Sequence, residues 1–96
     1  MKVDCEFVLD GDKCEWVRKI TLPFVPTDGM FFHLDYNTDG SLVEGAPLFL
    51  EVSAVFFSIE RDGVSCSVRF TEKAPSGDDA WMIDQGWEKE SLGEIK

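Results

Sequence analysis

The chain has 96 residues, enough for one compact domain, and 44% of them are hydrophobic, which excludes a chain that is disordered throughout. No apolar run approaches the length of about 18 residues that a transmembrane helix needs. Nineteen acidic residues against nine basic ones give a net charge of −10. The electrostatic field of this negative charge disfavours direct contact with nucleic acid or an anionic membrane, and it favours a basic protein partner or a cation.

The first predicted hairpin lies near the N-terminus. Apolar residues alternate over 3–9, which is typical of a half-buried strand, and Asp10-Gly11 favours a tight type I′ turn after it. A turn at this dipeptide predicts three cross-strand pairs, Phe7–Cys14, Cys5–Trp16 and Val3–Arg18. Because this register brings apolar side chains to one face, Trp16 is predicted to belong to the core.

The three cysteines are predicted to be reduced and buried. Their number is odd, and they form no C-x-x-C pair. In the predicted register Cys5 and Cys14 are diagonal neighbours with Cα atoms about 7–8 Å apart, whereas a disulfide favours about 5.5–6 Å. Asp4 and Glu6 stand where a signal peptide needs apolar residues. Together these features predict a cytoplasmic protein.

Two prolines interrupt the strand pattern after the first hairpin. Pro23 and Pro26 cannot donate to a strand ladder, so 22–29 is predicted to leave the sheet or to cross its edge. A third strand is predicted over 30–36 and a longer one over 48–60. The alternation of the longer strand changes phase midway, which predicts a β-bulge near Ser53-Ala54.

Asp62-Gly63 predicts the turn of a second hairpin. This turn gives the pairs Arg61–Val64, Ile59–Cys66, Phe57–Val68 and Val55–Phe70. Apolar side chains again share one face. The sequence therefore predicts an all-β fold, a small antiparallel barrel or sandwich of five to six strands built from hairpins.

A cluster of helix- and strand-breaking residues over 74–77 separates the last part of the chain. Residues 1–75 are predicted to form the antiparallel β domain, and 76–96 a C-terminal helix or tail packed on the same domain. Ala80, Ile83 and Trp87 recur at helical spacing after a capping sequence, which favours a short helix. An extended tail that lies on the barrel is the alternative.

Two tryptophans in this C-terminal segment are candidate partner-binding residues. Trp81 and Trp87 stand among the carboxylates of Asp78, Asp79 and Asp84. Aromatic side chains rimmed by acids suit a basic, partly apolar protein surface. The alternative is that both tryptophans cover an open end of the barrel.

One spacing is typical of calcium sites. Asp35, Asn37 and Asp39, followed by Gly40, match the first half of an EF-hand loop, in which alternate side-chain oxygens converge on the ion. The twelfth position of such a loop is a glutamate, and here it is Ala46. The alternative is an ordinary turn, and calcium is the one cofactor that the sequence suggests.

Catalytic motifs do not stand out in the sequence. His33 lies on the opposite phase of its strand from the apolar residues, so a cysteine–histidine pair is not expected. We expect a non-enzymatic, acidic binding protein that contacts another protein with a basic surface. The alternative is a small-ligand or cation-binding module that uses the barrel mouth or the 35–39 turn. A homodimer is compatible with proline-bearing edge strands.

Three segments resemble a pattern found in small, uncharacterised bacterial and phage proteins, some of which are carried on mobile gene cassettes. The segments are Leu22-Pro23-Phe24-Val25-Pro26-x-x-Gly29-Met30, Val52-x-x-Val55 and Val64 to Phe70, and the resemblance, from the first segment to the last, covers about half of the chain. In those proteins a proline-proline-glycine turn leads into a strand of a compact β-barrel. The resemblance implies the fold and implies no activity.

Overall fold

Six strands and one short helix make up the part of the chain that the structure, a computed structural model, describes: residues 2–12, 14–45, 48–61, 63–75, 77 and 79–91. In chain order they are β1 (Val3–Asp10), β2 (Cys14–Leu22), β3 (Phe31–Leu34), β4 (Leu48–Glu60), β5 (Gly63–Lys73), α1 (Asp79–Asp84) and β6 (Glu88–Ser91). The strands form one curled half-barrel sheet in the order β3-β4-β5-β1-β2-β6. The predicted all-β fold is confirmed.

The centre of the sheet is a parallel pairing of β1 with β5, in which Cys5 lies opposite Cys66 and Phe7 opposite Val68. The other strand pairings are antiparallel. Strand direction alternates from β1 to β5, so these two odd-numbered strands run the same way and pair in parallel. The sheet is therefore mixed, and not antiparallel throughout as predicted, because turn signals specify pairing only within each hairpin.

In the first hairpin each side chain lies on the predicted face of the sheet, but the two strands pair in a different register. The observed pairs include Leu9–Trp16, Phe7–Arg18 and Val3–Leu22, so the predicted pairs Phe7–Cys14, Cys5–Trp16 and Val3–Arg18 are wrong. An even shift leaves every side chain on its face. The shift also places Leu9 opposite Trp16 instead of opposite Asp12, and Leu9 and Trp16 are both buried. The prediction that Trp16 belongs to the core is confirmed.

The second hairpin is shifted in the same manner. Its pairs include Ile59–Val64, Phe57–Cys66 and Val55–Val68, which replace the predicted Ile59–Cys66, Phe57–Val68 and Val55–Phe70. Glu60 pairs with Gly63, so the reversal lies one residue earlier than predicted, and Asp62 lies outside the described residues. Each side chain again lies on the face of the sheet that was predicted for it.

The change of phase in β4 is a bulge, as predicted, because the register with β5 shifts between Val52 and Ala54. The bulge keeps apolar side chains on the concave face of the half-barrel on both sides of the shift. The segment 23–30 forms no strand, which agrees with the predicted exit from the sheet, and β3 is shorter than the predicted 30–36. The core on the concave face includes Cys5, Phe7, Leu9, Cys14, Trp16, Leu50, Val52, Cys66, Val68, Phe70, Met82 and Trp87.

Helix α1 covers part of this concave face with Met82, which is its buried residue. The predicted short helix is present as α1, and of the three residues at helical spacing Ala80 and Ile83 are exposed on it, whereas Trp87 lies beyond its end. No helix in the described part of the chain is long and apolar enough to span a membrane.

The thiols of Cys5, Cys14 and Cys66 are free and buried. Cys5 lies opposite Ile20 on β2 and opposite Cys66 on β5, so it is not the diagonal neighbour of Cys14 that the predicted register implied. Burial, together with the hydrogen bond to Cys66, raises the pKa of the Cys5 thiol from 9.0 to about 12.

We predict that this thiol makes the fold sensitive to alkaline pH. Cys5 ionises near pH 9.0 in the unfolded chain and near pH 12 in the folded one, so rising pH favours the unfolded state between these values. The free energy of unfolding should fall by up to about 1.4 kcal/mol per pH unit in this window. Urea titrations from pH 8 upward should show a shallower fall for Cys5→Val. Parallel pH profiles for both proteins would contradict the prediction.

Candidate functional site

Between β3 and β4, residues 36–42 fold into a small hairpin that carries two of the predicted cation-binding residues, Asn37 and Asp39. Tyr36 and Leu42 form an antiparallel bridge, and Asn37 N–H donates to the carbonyl of Ser41 at 2.8 Å. Asp39 Oδ1 accepts from the amide and hydroxyl of Ser41 at 2.9 and 2.6 Å. Aspartate and glycine favour such turns because a short side chain bonds the backbone and glycine adopts positive φ.

The end of α1 is fixed by a Schellman motif centred on Gly86, whose φ is +96°. Gly86 N–H donates to the Ile83 carbonyl at 2.9 Å, and Trp87 N–H donates to the Met82 carbonyl at 3.2 Å. A Cβ atom at Gly86 would collide with Cγ2 of Thr38. The absence of a side chain at Gly86 therefore lets the 36–42 hairpin pack directly against the end of the helix.

This packing creates a cleft of about 530 Å³ between the hairpin and α1, which we call the acidic cleft. Trp81 Nε1 donates to the backbone carbonyl of Glu44 at 2.9 Å and fixes one wall. Its lining includes three carboxylates and two exposed aliphatic side chains, and no basic residue is among the described residues that line it. The lining residues are Asn37, Thr38, Asp39, Ser41, Leu42, Glu44, Trp81, Ile83 and Asp84.

Of the predicted cation ligands, Asn37 and Asp39 lie in this hairpin and Asp35 comes immediately before it, but their side chains point to different partners. Asp35 Oδ1 lies 3.1 Å from His33 Nε2, outside the cleft, and Asn37 Nδ2 donates to Ser41 at 3.1 Å. Hydrogen bonds from Ser41 lower the pKa of Asp39. Among the described residues, no group of three or more acidic, histidine or cysteine side chains is arranged to hold a metal ion.

The predicted partner-binding residues are divided between the surface and the core. Trp87 is only 1% exposed and packs in the core. Trp81 and Asp84 line the acidic cleft. Asp79 instead binds Lys89 at 2.9 Å, and Asp78 lies outside the described residues.

Sequence patterns did not indicate the buried polar groups beneath α1. Gln85 is completely buried, and its Nε2 donates to the Trp81 carbonyl at 3.3 Å. Within the described structure, Gln85 Oε1, Arg18 Nη1 and Trp87 Nε1 are buried without a hydrogen-bond partner. Burial lowers the pKa of Arg18. Arg18 shares the phase of Trp16 on β2, and that was the one signal for its inward position.

Comparison with known proteins gives no match to a protein-family model, to a curated protein or to a solved structure.

We predict that Gly86→Ala destabilises the fold more than Gly40→Ala. Both glycines have positive φ, +96° and +87°, so each substitution carries a backbone cost of about 1 kcal/mol. At Gly40 nothing lies within 4 Å of the added Cβ, whereas at Gly86 it meets Thr38. The loss of unfolding free energy in urea should be about 1–3 kcal/mol larger for Gly86→Ala.

The double variant Gly86→Ala with Thr38→Ser removes the colliding methyl group and should recover part of that difference. Equal losses for the two single alanine variants would contradict the packing of the hairpin against α1.

Proposed function

We propose that the protein is a non-enzymatic binding module that holds a basic segment of a partner protein in the acidic cleft. One observation carries this proposal: carboxylates and exposed aliphatic side chains line the same cleft. The carboxylates are those of Asp39, Glu44 and Asp84, and the aliphatic side chains are Leu42 and Ile83. A surface of this composition matches a basic and partly apolar segment.

The carboxylates make the acidic cleft selective for positively charged groups. Asp39 is held ionised by the amide and hydroxyl of Ser41, which lower its pKa. No basic residue among the described lining residues neutralises the cleft. The net charge of −10 adds a long-range field that steers a basic partner toward the protein.

The aliphatic part of the cleft favours a long basic side chain over a small cation. Leu42 and Ile83 are exposed on its two sides, and arginine and lysine carry apolar stems that pack on such surfaces while the charge stays near carboxylates. The half-buried indole of Trp81, held by Glu44, offers a rigid aromatic surface beside them.

A labelled peptide of alternating arginine and leucine residues tests this proposal by fluorescence anisotropy. Binding should weaken as the salt concentration rises from about 0.05 to 0.5 M, because the Debye length falls below about 10 Å. Asp84→Asn should weaken binding about threefold to fivefold, since one exposed ion pair contributes up to about 1 kcal/mol.

Asp28→Asn is the matched control, because it makes the same change of charge on an exposed residue near the opposite end of β3. It should leave the dissociation constant nearly unchanged. Binding that does not depend on salt, or an equal loss for Asp84→Asn and Asp28→Asn, would contradict a role for the cleft.

A further inference from the structure

Two of the three thiols lie side by side at the centre of the sheet. In the parallel pairing of β1 with β5, Cys5 is directly opposite Cys66, and both side chains belong to the core on the concave face. They are 4% and 3% exposed, both are free, and a hydrogen bond joins the two thiols. The fold therefore brings together two cysteines that are far apart in the chain.

The geometry of this pair suits a disulfide. Neighbouring strands place paired Cα atoms about 4.7–4.9 Å apart, and disulfides join residues whose Cα atoms are about 4.4–6.8 Å apart. A disulfide also needs Cβ atoms about 3.5–4.5 Å apart. Because the sheet is curled and both thiols point to its concave face, the curl brings their Cβ atoms closer together than their Cα atoms. The two sulfur atoms can therefore bond without a change of strand register.

The third thiol lies out of reach of this pair. Cys14 pairs with Ser91 on β6, whereas the residue of β2 opposite Cys5 is Ile20. At about 3.3 Å per residue, the distance along β2 from Ile20 to Cys14 is about 20 Å. Cys66 lies one strand farther away than Cys5. Oxidation within the folded chain therefore has one intramolecular product.

The thiol pair lies at the border between the covered and the exposed parts of the concave face. On β5, Cys66 stands between Val68, which is 0% exposed, and Val64, which is 63% exposed. Phe57, opposite Cys66 on β4, is 54% exposed. A local opening of the sheet at this border is enough to bring a small oxidant to the pair.

The 23–30 segment meets the sheet away from this border. Gly29 N–H donates to the Val52 carbonyl of β4 at 2.9 Å. Val52 lies on the other side of the β4 bulge from Phe57. Phe57 and Val64 are exposed with this segment in place, so it does not close the border.

We propose that Cys5 and Cys66 form a reversible disulfide when the chain meets a small-molecule disulfide such as oxidised glutathione, and that this bond holds β1 to β5. One cysteine, as its thiolate, attacks the oxidant and releases one molecule of reduced glutathione, which leaves a mixed disulfide on the protein. The second cysteine gives up its proton, attacks the sulfur of the first and releases the second molecule of reduced glutathione. Two electrons pass from the cysteines to the oxidant, and the two protons end on the released thiols.

The bond acts on the pairing that joins the β1–β2–β6 unit to the β3–β4–β5 unit. It closes a loop of about 60 residues and so restricts the unfolded chain, which makes the oxidised protein more stable than the reduced one. The stability of the fold then follows the redox state of its surroundings.

Oxidation of the folded chain in mixtures of oxidised and reduced glutathione tests this proposal. After the free thiols are blocked in denaturant, trypsin separates the three cysteines into three peptides, because lysine and arginine residues lie between them. Mass spectrometry should identify the Cys5–Cys66 link as the main product, and excess reduced glutathione should remove it. The oxidised protein should unfold at a higher urea concentration than the reduced one.

Two controls distinguish a native contact from chance pairing. Cys14→Ala should form the same disulfide as the wild type. Oxidation of the wild type in urea should instead favour Cys5–Cys14 by about tenfold, because a loop of about 10 residues closes more readily than one of about 60.

A folded chain that keeps three free thiols at every glutathione ratio, or that carries only mixed disulfides with glutathione, would overturn the proposal. Cys5–Cys14 as the main product from the folded chain would also overturn it. A urea midpoint that the Cys5–Cys66 link does not raise would contradict the inference that the bond holds β1 to β5.

Discussion

The parallel contact between β1 and β5 is the interaction on which the rest of the described structure depends. It joins the β1–β2–β6 unit to the β3–β4–β5 unit, and without it the chain would form two small sheets, each with an uncovered apolar face. Inside the half-barrel, Phe7 of β1 packs against Phe70 and Phe32 with ring centroids 5.1 and 4.9 Å apart. Three strands from both units therefore share one aromatic cluster.

The outer face of the same contact is held by charge. Arg69 on β5 binds Glu15 at 2.9 Å and Asp10 at 3.4 Å, and both acids belong to the first hairpin. Val8 lies opposite Arg69 in the parallel pairing and is buried although it points away from the core. The surface position of the ion pairs limits their own contribution, so the apolar packing on both faces carries most of the stability.

The half-barrel has two ends with different chemistry. At one end, α1 and the 36–42 hairpin close over the core and create a cleft rich in carboxylates. At the other end, the apolar side chains of Phe57, Ile59 and Val64 on the concave face are exposed.

The alternation of apolar residues predicted the strands and their faces, but it did not fix how the strands pair. An even shift of register leaves the same side chains on the buried face. The alternation therefore could not indicate that Leu9 pairs with Trp16 and not with Asp12. The alternation also could not predict that Ile59 is exposed, because its exposure depends on where the elements that cover the concave face end.

The candidate site was predicted only in parts. The turn around Asp39 and the helix around Asp84 each have local signals, yet their meeting depends on close packing between Gly86 and Thr38. The burial of Trp87 follows from the same turn at the end of α1. Contacts between distant segments of this kind have no counterpart in a local pattern.

Nuclear Overhauser contacts between backbone protons of β1 and β5 test the central pairing most directly. A parallel pairing predicts contacts that advance in the same direction on both strands, from Cys5 beside Cys66 to Val8 beside Arg69. Contacts that advance in opposite directions, or contacts that place β1 beside a strand other than β2 and β5, would contradict it.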